Sequence, residues 1–156
     1  MSYVTAQTVW MTPTPSSIQD LLQDFFVIAD TPDPEAGNLW ADRVFQSDAS
    51  LVTSQGAISG EQAIRNSRKH AWDAIKSRKH FIRRAYAGGQ NAEDIMIHGD
   101  MHATIRSTGQ EISVPFAARF VVGKDSIGSG KPKLSSYEVW ADSAPLASAL
   151  QQANAK

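Results

Sequence analysis

The chain contains no cysteine, which excludes disulfides, thiolate metal sites and a cysteine nucleophile. Its 156 residues include no apolar run long enough to cross a bilayer. The first ten residues, Met1-Ser-Tyr-Val-Thr-Ala-Gln-Thr-Val-Trp10, lack a basic segment followed by an apolar stretch. Neither a signal peptide nor a membrane partner is expected, and the expected location is cytoplasmic. There is no Asn-x-Ser/Thr sequon and no internal repeat. The only low-complexity segment is the Gly/Ser-rich loop Ser126–Gly130. A phosphate-binding Gly-x-x-x-x-Gly-Lys-Ser/Thr motif there needs glycine at Asp125 and a hydroxyl at Pro132, so the loop reads as a hairpin connection.

Basic residues are scarce in the first 64 positions, where Arg43 stands alone against eight acids. Residues 65–84 reverse the balance with eight bases, Arg65, Arg68, Lys69, Lys76, Arg78, Lys79, Arg83 and Arg84, against Asp73. These bases are not interleaved with aromatics as a stacking platform requires, so nucleic acid is not an expected partner. The net charge of -1 and a hydrophobic fraction of 42% fit one soluble domain with a substantial core.

Residues 1–15, with Pro13 and Pro15, read as an extended arm that Trp10 anchors. Residues 16–142 form the domain, and 143–156 a terminal helix or tail. A capping box at Ser16-x-x-Gln19 opens a helix whose Ile18, Leu21, Leu22, Phe25 and Phe26 make one apolar stripe, and Thr31-Pro-Asp-Pro34 ends it. A short helix over 38–45 and a small hairpin over 49–58 follow. A second capping box, Ser59-x-x-Gln62, predicts a helix reaching Ser77. Four long antiparallel strands then span 79–87, 94–106, 111–122 and 133–141. Helices first and a long meander last predict an α+β domain, a curved antiparallel sheet wrapped as a cone around the helices.

Along Asp94–Arg106, His98, Asp100 and His102 share one face of the strand, and Ile95, Ile97, Met101 and Ile105 take the other. This polar lane reads either as a solvent-facing surface or as a proton-transfer unit in which Asp100 biases a neighbouring imidazole. A metal site is not expected, since His98 and His102 stand roughly 13 Å apart at the root on an extended strand.

With these residues in view, the chain resembles SnoaL-like polyketide cyclases and the superfamily named for nuclear transport factor two, which includes scytalone dehydratase, ketosteroid isomerase and limonene epoxide hydrolase. The order of elements from Ser16 to about Asp142 carries the resemblance. Lys79-His80-Phe81-Ile82 is similar to the strand of scytalone dehydratase that opens on a catalytic histidine, at His80 here, and His102 matches that enzyme's second catalytic histidine. His98-Gly99-Asp100 lies where limonene epoxide hydrolase has an inward Arg-x-Asp pair. The resemblance therefore implies that the polar lane lines a pocket. Epoxide hydrolysis is not implied, because His98 replaces the arginine and the second catalytic aspartate falls near Val139. The two tyrosines of scytalone dehydratase have no counterparts that can be placed.

The implied activity is a cofactor-independent acid–base enzyme, an isomerase, cyclase or dehydratase (a lyase). Its implied substrate is an apolar oxygenated small molecule such as a polyketide or terpenoid of secondary metabolism. His80, Asp100 and His102 are the candidate catalytic set. Arg84 and Tyr86 follow His80 at period two and are expected on its face, beside His98, to bind substrate. Glu138 joins them if Ser136 and Trp140 face inward, whereas the opposite phase puts Tyr137 and Val139 inside. Trp40, Phe116 and Trp140, with Phe25, Phe26 and Phe120, are candidates for pocket or core. A homodimer through sheet faces is expected. The alternative is a noncatalytic binding or dimerisation module of the same fold.

Overall fold

The computed structural model describes residues 2–127 and 131–155. Gly128–Gly130 of the predicted Gly/Ser-rich loop lie outside them. The structure is a mixed α+β fold with a curved, unclosed sheet of seven strands. Strands β1 (Val9–Trp10), β2 (Phe45–Thr53), β3 (Gly56–Ser59), β4 (Ile75–Gly88), β5 (Asp94–Ile105), β6 (Glu111–Val122) and β7 (Leu134–Ala141) are ordered β1-β4-β5-β6-β7-β2-β3. The pairs from β4 to β7 and β2–β3 are antiparallel, whereas β1–β4 and β2–β7 are parallel.

Helix α1 (Ser16–Ala29) lays its predicted stripe into the cone: Leu22, Phe25 and Phe26 are almost completely buried against Phe45, Phe120 and Leu134. The expected capping box is not used there. Pro15 is the N-cap residue, and the Gln19 side chain donates to Thr14 O instead. A short α2 (Ala36–Leu39) runs into a π-turn over Trp40–Val44 that buries Trp40 and Val44.

The helix predicted to reach Ser77 is much shorter. Helix α3 is only Glu61–Asn66, capped by Gly60 at a φ of 86° with no side-chain cap. The chain then runs through turns and enters β4 at Ile75, which pairs with Ile105. Local helical preference loses here to long-range pairing along β5, in which twelve β4 residues have a partner. Helix α4 (Ala144–Asn154) packs against β6, where Ala149, Leu146 and Leu150 join Trp72, Ala103 and Ile105 in a second small core.

The first residues are built into the domain. Val4 is buried in the main core, its carbonyl accepts from Ile82 N, and β1 pairs with β4 at Arg84 and Ala85. Among the described residues no helix is long and apolar enough to cross a membrane.

Candidate active site

The inner face of β4 carries Arg78, His80 and Ile82, opposite Ala103, Met101 and Gly99 of β5. A bulge between Ile82 and Arg84 then reverses the phase. Ala85 and Ala87 continue the inner face, while Arg84 and Tyr86 turn outward and are exposed. This corrects the expectation that Arg84 and Tyr86 share the face of His80.

The polar lane of β5 is also on the outside. Ile95, Ile97 and Ile105 are buried toward the helices, His98 and His102 are exposed, and Asp100 pairs with Arg83 at 2.7 Å on the outer surface. The apolar face covers the core, and removing those isoleucines from water outweighs any preference for turning the histidines inward. Gly99 marks the tight inner side, since a Cβ there would meet Phe81 O and approach the Phe116 ring to 3.1 Å. His80, Asp100 and His102 are therefore not brought together.

On β7 the inward phase belongs to Tyr137 and Val139. Glu138 and Trp140 pair with Arg119 and Ala117 on the outer side, and Trp140 is 48% exposed. Of the remaining candidates, Trp40 is buried and lines the central cavity, with Nε1 donating to Phe25 O at 3.0 Å. Phe116 is buried with its ring edge-on to His80, centroids 5.4 Å apart.

What gathers around His80 comes from elsewhere in the chain. Asp30 is the C-cap residue of α1, and its side chain is only 3% exposed. Its Oδ1 lies 2.6 Å from His80 Nδ1, and its Oδ2 accepts from His80 N at 2.7 Å and from the Tyr3 hydroxyl at 2.8 Å. A carboxylate so placed assigns the proton to Nδ1 and leaves Nε2 as the basic nitrogen. Burial lowers the His80 pKa, opposed by the bond to Asp30, so the ring is neutral near pH 7. Burial and then Asp30 raise the Tyr3 pKa, so its phenol stays a donor.

Two guanidinium groups complete the polar set. Arg68 and Arg78 both donate through Nη2 to Ala29 O at the C-terminal end of α1, where helix geometry leaves carbonyls free and favours cations. Arg68 lies over Trp40 at 5.0 Å and Arg78 over Trp72 at 4.6 Å, which holds both planes. Burial, and then the charge of Arg78, push the Arg68 pKa down to about 9, which still leaves it a cation at neutral pH. Burial lowers Arg78 as well. Tyr137 is buried, which raises its phenol pKa and keeps it protonated.

These side chains border a cavity of about 540 Å³ whose other walls include Phe25, Phe26, Trp40 and Leu51. Its lining is mixed: one imidazole, two guanidiniums and one phenol stand among apolar walls and the polar Thr53, Gln55, Asn66 and Ser67. No cluster of three or more metal-ligating side chains occurs among the described residues.

Asp30, Arg68, Arg78 and Tyr3 were not among the residues expected at the site, and Tyr137 entered only as the alternative phase of the last strand. Asp30 had a readable signal: it follows Phe26 by four positions and so continues the buried stripe of α1 with a carboxylate. Arg78 precedes His80 by two on the same strand face. Arg68 had none, since its position depends on α3 ending early.

No family model and no curated protein matches the chain. Solved structures do. A protein with a ketosteroid isomerase-like fold from Catenulispora acidiphila, in complex with trimethylamine, superposes with a TM-score of 0.65 at 17% identity, covering 86% of this chain and 92% of that one. A hexachlorocyclohexane dehydrochlorinase, LinA type 2, gives 0.61 at 16% identity over 81% of this chain and 84% of its own. A Jannaschia species protein, proposed to be a SnoaL-like polyketide cyclase, gives 0.66 at 9% identity over 90% and 93%. The fold of this chain is thus the cone of nuclear transport factor two-like proteins, shared with ketosteroid isomerase-like and SnoaL-like structures.

Proposed function

We propose that the chain is a cofactor-independent acid–base enzyme in which His80 removes a proton from carbon, an isomerase, cyclase or dehydratase for an apolar oxygenated small molecule of polyketide or terpenoid type. One observation carries this reading: His80, held through Nδ1 by the buried Asp30 at 2.6 Å, lines a cavity walled in part by Phe25, Phe26, Trp40 and Leu51. A neutral imidazole with a fixed tautomer is matched to proton transfer near neutral pH. Some neighbours of the same fold are enzymes by name, including a dehydrochlorinase.

In the proposed reaction the C–H electron pair passes toward an adjacent carbonyl, whose oxygen becomes an enolate, and the proton moves to His80 Nε2. The Asp30 carboxylate stabilises the imidazolium that forms, and Tyr3 holds Asp30 from the far side. Arg68, Arg78 and the Tyr137 phenol face the cavity and oppose the negative charge that develops on oxygen. Returning the proton to another carbon completes an isomerisation. Returning it to a β-hydroxyl as that group departs releases water and completes a dehydration.

The test is deuterium exchange into a panel of apolar ketones with acidic α-hydrogens in D2O. The native chain is expected to accelerate exchange with at least one member, and His80→Ala to lose roughly 10²–10⁴-fold of that acceleration. Equal rates for His80→Ala and the native chain would remove His80 as the base. No acceleration with any member would favour a binding module.

A further inference from the structure

The cavity carries more positive than negative charge. Arg68 and Arg78 line it, and its lining contains no acidic side chain among the described residues. The nearest carboxylate is Asp30, which lies 3.5 Å from Arg78 Nε and already accepts from Tyr3 and twice from His80. Both guanidiniums share a single carbonyl, Ala29 O. The Nε groups of Arg68 and Arg78 are buried without a hydrogen-bond partner among the described residues. With His80 and Tyr137 neutral, two cations face one anion.

Two buried guanidiniums that share one carboxylate and one carbonyl are under-compensated, which costs folding free energy and favours an anion in the cavity they line. Arg68 and Arg78, held on Trp40 and Trp72, meet at one carbonyl on the cavity wall, and guanidiniums are the side chains that suit a carboxylate. Away from the two arginines the walls include Phe25, Trp40, Leu51 and the Tyr137 ring, which suit an unsaturated or ring-containing skeleton, together with the polar Thr53, Gln55, Asn66 and Ser67.

We infer that the cavity takes a monoanionic ligand, a ring-containing molecule whose carboxylate meets Arg68 and Arg78 while its carbon skeleton lies beside His80. This rests on the acid–base reading for its role and narrows the substrate of that site from any oxygenated apolar molecule to a carboxylate-bearing one. An enolate formed only during reaction could also meet the arginines. The charge imbalance, however, exists before any reaction, and a resident carboxylate neutralises it in the ground state.

Calorimetric titration of the full chain with 2-naphthoate and with 2-naphthamide, near in shape and differing in charge, separates the two cases, and benzoate with benzamide repeats the comparison at smaller size. The carboxylate of at least one pair is expected to bind about tenfold or more tighter than its amide. Arg68→Gln should abolish that preference, and the outer-face variant Asp100→Asn should keep it. Equal affinities for acid and amide, an undiminished preference in Arg68→Gln, or no binding of either carboxylate at millimolar concentration would overturn the inference. If Arg68→Gln does not fold, the acid-against-amide comparison on the native chain decides alone. His80→Ala is expected to keep the preference. Naphthoate binding without any exchange activity would therefore sink the acid–base reading and spare this one. Exchange of neutral ketones without carboxylate preference would do the opposite.

Discussion

Replacing Asp30 by Asn changes one atom at the centre of the site and tests the dyad directly. The side chain is 3% exposed and its two oxygens face different donors: Oδ2 takes both the Tyr3 hydroxyl and His80 N, while Oδ1 takes His80 Nδ1. An asparagine has one acceptor oxygen, and leaving it with the two donors at Oδ2 places its NH2 against Nδ1. Nδ1 must then accept, the imidazole proton moves to Nε2, and Nε2 is no longer a base. Loss of the correct tautomer in a triad of this kind costs about 10⁴-fold in turnover, or roughly 5.5 kcal/mol at about 1.4 kcal/mol per tenfold. The substitution also removes the carboxylate that opposes Arg78 and Arg68, and breaking such a buried pair costs roughly 3 kcal/mol. For a chain of this length that corresponds to a drop in Tm of roughly 6–12 °C. Deuterium-exchange rates, a thermal melt and 15N imidazole spectra read these three effects separately. The reasoning is refuted if Asp30→Asn is folded, shows an unprotonated Nε2 in the spectra and exchanges at the native rate.

Three further outcomes follow from the same geometry. Because burial holds the His80 pKa below 6.5 in the folded chain, the unfolded chain binds the extra proton first on acidification. The contribution of neutral His80 is therefore present above about pH 6.5 and is lost as pH falls through the folded value. A urea titration at pH 7.5 and at pH 5.5 should show lower stability at the acid end, with His80→Gln reducing the difference. Asp100→Asn should leave exchange within about twofold of native and cost under about 1 kcal/mol, because Asp100 pairs with Arg83 on the outer face, with 28% and 37% of the side chains exposed. A 10²-fold loss in that variant, with the fold intact, would restore the outer lane as a catalytic site. Tyr86, Met96, Ala117 and Trp140 lie on that outer face, with the first two paired to each other and the last two likewise, and we propose that a second copy covers them. Sedimentation should give a dimer for the native chain and a monomer for Trp140→Asp, and a native monomer at micromolar concentration would count against it.

How far the site could be read from the chain depended on whether a residue's direction is set locally or by pairing. The apolar stripe of α1 and the alternation of Asp94–Ile105 are local patterns, and each buries the side its composition demands. His80 was legible as a candidate, and its inward direction agrees with the motif that singled it out. The expectation for His98, Asp100 and His102 went against the burial of Ile95, Ile97 and Ile105, and the hydrophobic pattern in the sequence already favoured the opposite phase.

The sequence by itself determined the α+β class, the cone of long strands around an amphipathic helix, and the absence of any thiol chemistry, because hydrophobic period and composition act over a few residues. Tertiary structure alone decided that Asp30 meets His80 across fifty positions, that Tyr3 reaches the same carboxylate from the N-terminal arm, and that Arg68 and Arg78 converge on Ala29 O. A bulge after Ile82 turns Arg84 and Tyr86 to the outside, and an early end to α3 leaves Arg68 on the wall of the cavity. Such events are governed by strand register and long-range pairing, whose energies depend on residues far apart in the chain, so no local window contains them.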